Sequence, residues 1–230
     1  MSQREVGTVV ITGGASGLGA ATARAVAEAG GTPVVLDVNE PPEVWDAERV
    51  DLADPRAAEA AVSRAAERHG GLSAVVTAAA VDEPAPFGEL PAERWERIVA
   101  INLLGTAAVV RAALPHLERS AGRVVTVAST LGFRVFPDAT AYCASKFGVV
   151  GFSRALAVET AGRVGVTMLV PGGMRTAFFD ARDPRYQPGP DAMLNDPADV
   201  AAAVLFALRR PPGVELREMV VAPAVEPSWP

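Results

Sequence analysis

A tyrosine and a lysine lie four residues apart, at Tyr142 and Lys146, in a segment that reads Tyr-Cys-Ala-Ser-Lys. On a helix, residues with this spacing share one face, so the phenol and the ammonium group point the same way. Free tyrosine is a poor base at neutral pH because its pKa is about 10. A cation about 4 Å away, at an effective dielectric constant of about 20, would stabilise the phenolate by roughly 4 kcal/mol. The pair therefore predicts general acid–base chemistry, with a solvated pair on a helix surface as the alternative.

A glycine-rich turn follows an apolar segment near the start of the chain. Gly13, Gly17 and Gly19 stand where a predicted strand ends and a predicted helix begins. Such a turn lets the backbone approach a pyrophosphate, and the positive end of the helix favours the negative charge. The spacing differs from the G-x-G-x-x-G form, so a plain tight turn is the alternative.

An aspartate, Asp37, ends the second predicted strand. A carboxylate at this position accepts hydrogen bonds from ribose hydroxyls and repels a 2′-phosphate. No Arg or Lys at positions 13–19 or 38–42 would neutralise that phosphate, so the sequence favours NAD over NADP. A solvated carboxylate at a strand end is the alternative. Asp51 and Leu52 end the next predicted strand and are candidates to contact adenine, with a helix-capping turn as the alternative.

Strands alternate with helices along the whole chain. The strands are apolar without alternation, as in Val9-Val10-Ile11, which is typical of parallel strands buried on both faces. The pattern predicts an α/β fold in one domain, residues 1–230: a doubly wound, seven-stranded, mostly parallel sheet of the Rossmann type, with helices on both faces. The predicted strands are 7–12, 33–38, 49–52, 72–79, 123–128, 165–170 and 218–221, and the predicted helices are 17–29, 55–69, 93–119, 139–161 and 197–210.

Composition excludes several classes of function. The net charge of −6 argues against nucleic acid or an anionic membrane as the main partner, because both attract basic surfaces. The one cysteine, Cys143, cannot form an intramolecular disulfide, and the start of the chain lacks the pattern of a signal peptide, so a cytoplasmic location is expected. No Cys, His or carboxylate cluster has the spacing of metal ligands, so no metal site is predicted.

Taken together, these motifs resemble the short-chain dehydrogenase/reductase family across nearly the whole length. Ser129 lies 13 residues before Tyr142, as the family pattern expects. The family order is kept by the glycine turn, Asp37, Asp51-Leu52, Asn102, Ser129, Tyr142 with Lys146, and Pro171-Gly172 followed by Thr176.

The resemblance implies catalytic roles for Asn102, Ser129, Tyr142 and Lys146. Tyr142 would pass a proton to or from the substrate oxygen, and Ser129 would hydrogen-bond that oxygen. Lys146 would lower the pKa of Tyr142 and hold the nicotinamide ribose, while Asn102 would hold a water that connects Lys146 to solvent. The implied cofactor-binding residues are Gly13, Ser16, Gly17, Leu18, Gly19, Asp37, Asp51, Leu52, Ala78, Ala79, Tyr142, Lys146, Pro171, Gly172 and Thr176.

Two segments depart from the family. The family usually has Asn-Asn-Ala-Gly after the fourth strand, whereas this chain has Thr77-Ala78-Ala79-Ala80. The amides and the last glycine's freedom at positive φ are gone, which puts the order of the adenosine side of the pocket in question. The span from Asp37 to Asp51 is also short, so a loop is expected in place of a helix, with Trp45 covering the edge of the sheet.

The substrate side is predicted to be mainly apolar. Residues 177–196 form a predicted substrate-binding loop that carries Phe178 and Phe179, and Phe133 and Phe136 are predicted to form another wall. Three arginines nearby, Arg134, Arg182 and Arg185, are candidates to meet an anionic or polar group, with solvated surface as the alternative.

The predicted function is an NAD-dependent alcohol dehydrogenase or ketoreductase that acts on a secondary alcohol or ketone of a small molecule. The alternatives are a non-catalytic NAD-binding protein of the same fold, and a dehydratase or epimerase that uses the same Tyr/Lys pair. The resemblance also implies a homo-oligomer, a tetramer or else a dimer, through helices 93–119 and 139–161. The second of these is apolar on more than one side, at Phe147, Val150 and Phe152, and the tail 224–230 is predicted to pack on a neighbour.

Overall fold

The computed structural model describes residues 4–229, so Met1–Gln3 and Pro230 of the predicted domain lie outside the described residues. The strands are β1 Thr8–Thr12, β2 Thr32–Asp37, β3 Asp46–Arg49, β4 Ala74–Thr77, β5 Arg123–Val127, β6 Gly165–Pro171 and β7 Glu218–Val221. The α-helices are α1 Gly17–Glu28, α2 Pro55–Arg68, α3 Ala92–Val99, α4 Thr106–Ser120, α5 Thr140–Glu159 and α6 Pro197–Leu208.

The seven strands form one sheet in the order β3-β2-β1-β4-β5-β6-β7, and every neighbouring pair is parallel. This confirms the predicted doubly wound sheet. All the carboxyl ends therefore meet at one edge. The strand order reverses between β1 and β4, which is where ligands bind in open sheets of this kind.

The core lies on both faces of the sheet, which explains why the strands are apolar without alternation. Along β1, Val10 packs into the cluster that includes α2 and α4, whereas Val9 and Ile11 pack into the cluster that includes α1 and α6. All three are fully buried. Burial of such side chains contributes about 1.5–3 kcal/mol each and fixes the strand ends that carry the site.

The third strand was wrongly predicted at 49–52. It lies at Asp46–Arg49, at the edge of the sheet, and its side chains are alternately exposed. The apolar residues Val50 and Leu52, on which the prediction depended, follow the strand and are buried beside α2 instead. An edge strand needs little apolar character, so its sequence does not distinguish it. Between β2 and β3 no helix forms, as predicted, and Trp45 packs against the core.

The helix predicted at 93–119 is interrupted. A π-helical segment, Ala100–Gly105, separates α3 from α4, while Pro115 lies inside α4 without ending it. By length and composition alone, the combined stretch Ala92–Ser120 is long and apolar enough to cross a membrane, but half of its most apolar window is buried inside the fold. Core helices pass the same test.

The helices that were predicted to pair subunits expose few large apolar residues. On α5, Phe147 is 46% and Val158 is 78% exposed, and Leu104 of the other helix is 50% exposed. Val150 and Phe152, however, pack into the protein's own core. The apolar second side predicted for α5 is therefore narrower than expected, and self-association through it stays a prediction.

Candidate active site

A cavity of about 1290 Å³ opens at the carboxyl edge of the sheet. All fifteen of the predicted cofactor-binding residues line it, together with Ser129. The turn after β1, the ends of β2 and β6, the segments that follow β3, β4, β5 and β6, and the start of α5 supply these residues. Residues far apart in the chain therefore meet because parallel strands end at the same edge.

The turn between β1 and α1 requires glycine. A Cβ on Gly13 would lie 2.7 Å from the Cα of Ala79, and a Cβ on Gly19 would lie 2.1 Å from the carbonyl oxygen of Gly13. Gly13 also has a φ of +70°. At the N-cap of α1, the side chain of Ser16 makes no capping hydrogen bond, so the first backbone N–H groups of the helix remain available for an anion. The turn fits a pyrophosphate.

The carboxylate of Asp37 lines the cavity at the end of β2. One oxygen accepts a hydrogen bond from the N–H of Ala15 at 3.0 Å, and the other accepts one from the N–H of Asn39 at 2.9 Å. Arg24 of α1 does not line the cavity and is paired with Glu43 at 2.6 Å.

Asp51 makes a local turn and also lines the cavity, and its predicted contact with adenine stays a prediction. Its Oδ1 accepts a hydrogen bond from the N–H of Ala53 at 2.9 Å, which makes a turn, and its Oδ2 pairs with Arg97 at 2.8 Å on the wall of the cavity. Burial raises the pKa of Asp51, but the Ala53 N–H and the Arg97 guanidinium outweigh it, so the pKa is lowered overall. The cap of α2 is a different residue, Asp54.

The unusual segment after β4 keeps its order without the family's amides. The N–H of Ala79 donates to the side-chain oxygen of Thr12 at 3.0 Å, which ties the segment to β1. Among residues 4–229, the non-glycine residues with positive φ are Ala121 and Asp138, so Ala80 does not need the freedom of a glycine. A cost in stability remains at Thr77, because its buried hydroxyl has no hydrogen-bond partner among the described residues.

The first two turns of α5 carry Tyr142 and Lys146, side by side in the cavity. The Lys146 Nζ lies 5.6 Å from the centroid of the Tyr142 ring and donates a hydrogen bond to the carbonyl oxygen of Val127 at 2.9 Å. Ser129 follows β5 and caps a short 3₁₀ turn. Lys146 is buried, with only 2% of its surface exposed. The predicted alternative, a solvated pair on a helix surface, is wrong.

Burial controls the ionisation of both groups. It raises the pKa of the Tyr142 phenol well above its ordinary value, although a hydrogen bond with Ser129 lowers it in part. It also lowers the pKa of Lys146 to about 8. Desolvation is the largest influence on the Tyr142 pKa in this structure, so the lowering of that pKa by Lys146 stays a prediction.

Asn102 does not line the cavity. It lies in the π-helical segment, 1% exposed, and its Oδ1 accepts from the N–H of Val81. Its Nδ2 donates to the carbonyl oxygen of Val81 and to the Oγ of Ser145. The side-chain amide thus joins the segment after β4 to α5. Asn102 therefore positions these two segments in this structure, and the water ligand that the resemblance implied for it stays a prediction.

The comparisons with known proteins agree with this geometry. A family model for the short chain dehydrogenase family matches residues 7–187. The chain belongs to the short-chain dehydrogenase family. It is therefore an oxidoreductase of that family, and several of its relatives are named as dehydrogenases.

Two of the similar relatives act on ring alcohols, by their names. The 2,5-dichloro-2,5-cyclohexadiene-1,4-diol dehydrogenase of Sphingobium indicum is 36% identical over 228 residues, which cover 90% of each chain. The cis-4-hydroxycyclohexanecarboxylate dehydrogenase of Sinomonas cyclohexanicum is 35% identical over 218 residues, or 86% of this chain and 87% of that one. The fold is also similar to that of an alcohol dehydrogenase from the archaeon Thermococcus sibiricus complexed with 5-hydroxy-NADP. That structure has a TM-score of 0.83 at 24% identity and covers 94% of this chain and 95% of its own.

The substrate end of this dehydrogenase is partly as predicted. Phe136, Phe178 and Phe179 line the cavity, and the Phe178 ring lies 5.9 Å from the Tyr142 ring. Phe133 does not line it. Its ring packs at 5.4 Å against Trp229 and against the guanidinium of Arg154, so the prediction of Phe133 as a substrate wall is wrong. The 3₁₀ turn after Ser129 carries Phe133 away from the cavity.

The C-terminal tail closes the cavity of its own chain. Val225 to Ser228 line it, although the sequence suggested that the tail packs on a neighbour. Glu226 accepts a hydrogen bond from the N–H of Gly173 at 3.0 Å, and the Ser228 hydroxyl donates to Thr130 at 2.7 Å. Sequence reasoning missed these residues because no local pattern connects them with β6. Pro230, the last residue of the predicted tail, lies outside the described residues.

The three arginines of the substrate side have different surroundings. Arg134 is exposed and does not line the cavity, whereas Arg185 lines it and is largely exposed. Arg182 is neither free nor solvated: its Nη2 lies 2.7 Å from the Oδ2 of Asp82, and their side chains are 14% and 3% exposed. Asp82 was not singled out from the sequence, because the family pattern ends before it.

Proposed function

We propose that this dehydrogenase transfers a hydride between NAD(H) and a secondary alcohol or ketone on a mainly apolar small molecule, with Tyr142 as the general acid and base. The observation that carries the proposal is the convergence of Tyr142, Lys146 and Ser129 on the cavity that the glycine turn also lines. An anion cradle and an acid–base pair in one cavity fit a redox reaction that needs both a dinucleotide and a proton.

The chain's own groups handle the substrate oxygen. A bound nicotinamide dinucleotide supplies or accepts the hydride. The Ser129 hydroxyl hydrogen-bonds the substrate oxygen, and the Tyr142 hydroxyl gives that oxygen a proton in ketone reduction and takes one back in alcohol oxidation. Because burial keeps the phenol protonated at neutral pH, Tyr142 is ready to act as the acid. Lys146 donates one N–H to Val127 and keeps two for the ribose of the cofactor.

The choice of NAD over NADP rests on Asp37. Its carboxylate lines the cavity at the end of β2, and a 2′-phosphate there would meet a negative charge. Within residues 4–229, the basic side chains that line the cavity are Lys146, Arg97, Arg182 and Arg185. Arg97 is already paired with Asp51, so it does not offer an uncompensated charge to a phosphate.

The substrate class is a compact alcohol or ketone, and a ring fits it best. The aromatic wall of Phe136, Phe178 and Phe179 offers apolar contact beside Tyr142. The ring alcohol named for the Sphingobium relative supports the same class, whereas the ring alcohol named for the Sinomonas relative also carries a carboxylate.

The test begins with calorimetric titration of NADH and NADPH, followed by turnover of a panel of cyclic secondary alcohols and ketones. Tight NADH binding with weak NADPH binding is expected. Tyr142→Phe should keep the NADH affinity within about threefold and lower turnover by about a thousandfold, as expected for loss of a general acid.

Tyr186→Phe is the matched control, because it removes the same hydroxyl from the other tyrosine of the chain, which donates to Asp138 rather than to the substrate oxygen. Its turnover should stay within about tenfold of wild type. Equal turnover in Tyr142→Phe and wild type would contradict the assigned role. NADH binding without turnover of any compound would favour the non-catalytic alternative, and tighter NADPH binding would contradict the argument from Asp37.

A further inference from the structure

A buried ion pair joins the substrate loop to the sheet beside the acid–base pair. Asp82 lies five residues after the end of β4, and Arg182 lies in the loop 177–196. Their side chains meet at 2.7 Å and both line the cavity. The Asp82 side chain is only 3% exposed, so its carboxylate has little water to solvate it and relies on the guanidinium.

Aromatic contacts hold the guanidinium in place. Its central carbon lies 4.9 Å from the centroid of Phe178 and 4.6 Å from that of Phe179, and Phe178 in turn contacts the ring of Tyr142. The ion pair is close enough to the phenol for its charges to act on it: Asp82 raises the pKa of Tyr142 and Arg182 lowers it. A substrate bound at Tyr142 therefore lies near both charges.

The other cations of the cavity are also compensated or engaged. Arg185 lies over the ring of Tyr186 and 3.6 Å from Asp183, and Lys146 is buried against Val127. Carboxylates outnumber cations on the cavity wall of the described chain, six to four: Asp37, Asp51, Asp82, Asp138, Asp191 and Glu226 against Arg97, Lys146, Arg182 and Arg185. A substrate carboxylate would lose its hydration without gaining an uncompensated partner, which is costly.

We propose that Asp82 is a specificity-determining residue, which neutralises Arg182 beside Tyr142 and so directs the site to neutral alcohols and ketones and against hydroxy acids. The proposal rests on the proposed hydride transfer. Its physical basis is that the same guanidinium, without Asp82, would be a ready partner for a carboxylate. The preference for neutral substrates therefore depends on Asp82, which pairs with Arg182. Without Asp82, Arg182 would favour hydroxy acids.

The experiment compares two alcohols that share a ring, cyclohexanol and cis-4-hydroxycyclohexanecarboxylate, in the NAD-dependent oxidation. Wild type is expected to have the higher kcat/KM for cyclohexanol. Asp82→Asn keeps a carbonyl oxygen that accepts from Arg182 but removes the charge. It should raise the ratio of kcat/KM for the carboxylate to that for cyclohexanol by about tenfold or more, the effect of one charge-assisted hydrogen bond.

Glu83→Gln is the matched control. It removes the same charge one residue along the chain, from a side chain that pairs with Arg94 and does not line the cavity. Its ratio should stay within about twofold of wild type, since an exposed charge is screened. NADH titration and thermal unfolding of each variant establish that it is folded and binds cofactor.

A ratio that is unchanged in Asp82→Asn, or a wild type that prefers the carboxylate, would overturn the proposal while leaving hydride transfer standing. If Asp82→Asn does not fold, the double variant Asp82→Asn/Arg182→Met decides, because it removes both charges of the pair: the low wild-type ratio should persist in it within about threefold, whereas a fall of about tenfold or more would show that Arg182 already receives the carboxylate. A wild type that binds NADH but oxidises no secondary alcohol would refute the proposed function and this inference together.

Discussion

The cavity has two ends with different construction. At the end under α1, the lining consists largely of strand ends, the glycine turn and small residues such as Ala78 and Ala79. At the other end, the lining consists of side chains from the loop 177–196 and from the C-terminal tail, including a buried ion pair and the carboxylate of Glu226.

This difference in construction predicts how well each end of the cavity tolerates amino-acid substitutions. Where the backbone itself makes the site, the shape depends on glycine and on the sheet. A family departure such as Thr77 to Ala80 is held there by the hydrogen bond from Ala79 to Thr12 and by those between Val81 and Asn102. Where side chains make the site, each contact depends on one residue, such as Asp82 or Glu226. The first end is expected to keep one ligand and the second to vary with the substrate.

The largest effect is expected at the backbone end. Gly19→Ala would place a Cβ 2.1 Å from the carbonyl oxygen of Gly13, and neither backbone can move without disturbing the turn. We expect NADH affinity to fall by about a hundredfold or more, and the free energy of unfolding to fall by about 1–3 kcal/mol. Calorimetric titration and urea unfolding measure the two.

Gly88→Ala is the control for that substitution, because a Cβ there meets nothing within 4 Å. It should leave both quantities close to wild type. If Gly19→Ala still binds NADH normally, the backbone end is more adaptable than its contacts indicate and the contrast between the two ends is lost.

An intermediate effect is expected at the side-chain end. Deletion of the tail from residue 224 onward removes the Glu226 bond to Gly173 and the Ser228 bond to Thr130. We expect KM for the alcohol to rise about tenfold while NADH affinity stays within about threefold, because the tail covers the substrate end. Steady-state kinetics and NADH titration measure this, and an equal loss of NADH affinity would show that the tail belongs to both ends.

The smallest effect is expected on the free energy of unfolding, in a comparison of two threonines. Thr77 on β4 and Thr126 on β5 are partners in the register of the sheet. The Thr126 hydroxyl lies 2.6 Å from that of Ser153, whereas the Thr77 hydroxyl is buried without a partner in the described chain. Thr126→Val should therefore lower the free energy of unfolding by about 1 kcal/mol, and Thr77→Val should leave it unchanged or raise it by about 1 kcal/mol.

Urea unfolding of the two valine variants distinguishes these outcomes. If Thr77→Val destabilises the protein as much as Thr126→Val does, the Thr77 hydroxyl has a partner after all, and the departure at the end of β4 is compensated by more than the bonds of Ala79 and Val81.

The sequence predicted the parts of the site that local pattern controls. The glycine turn, Asp37, and the Tyr142 and Lys146 pair were identified because each depends on spacing within one strand–turn–helix unit or one helical turn. Strand β3 was predicted three residues too late, and the π-helical segment was not predicted. Neither an edge strand nor one π-helical turn changes the hydrophobic periodicity enough to be recognised.

By itself, therefore, the sequence determined the parallel sheet, the order of its elements and the residue types gathered at its carboxyl edge. Only the tertiary structure decided that Asp82 meets Arg182, that Glu226 meets Gly173, and that Phe133 turns away from the cavity. The physical reason is that these contacts join side chains of segments far apart in the chain, with one hydrogen bond or ring contact each. The periodicity and spacing of the sequence do not indicate which residues form such pairs. Burial and desolvation in the folded chain determine which groups become partners and which of them stay charged.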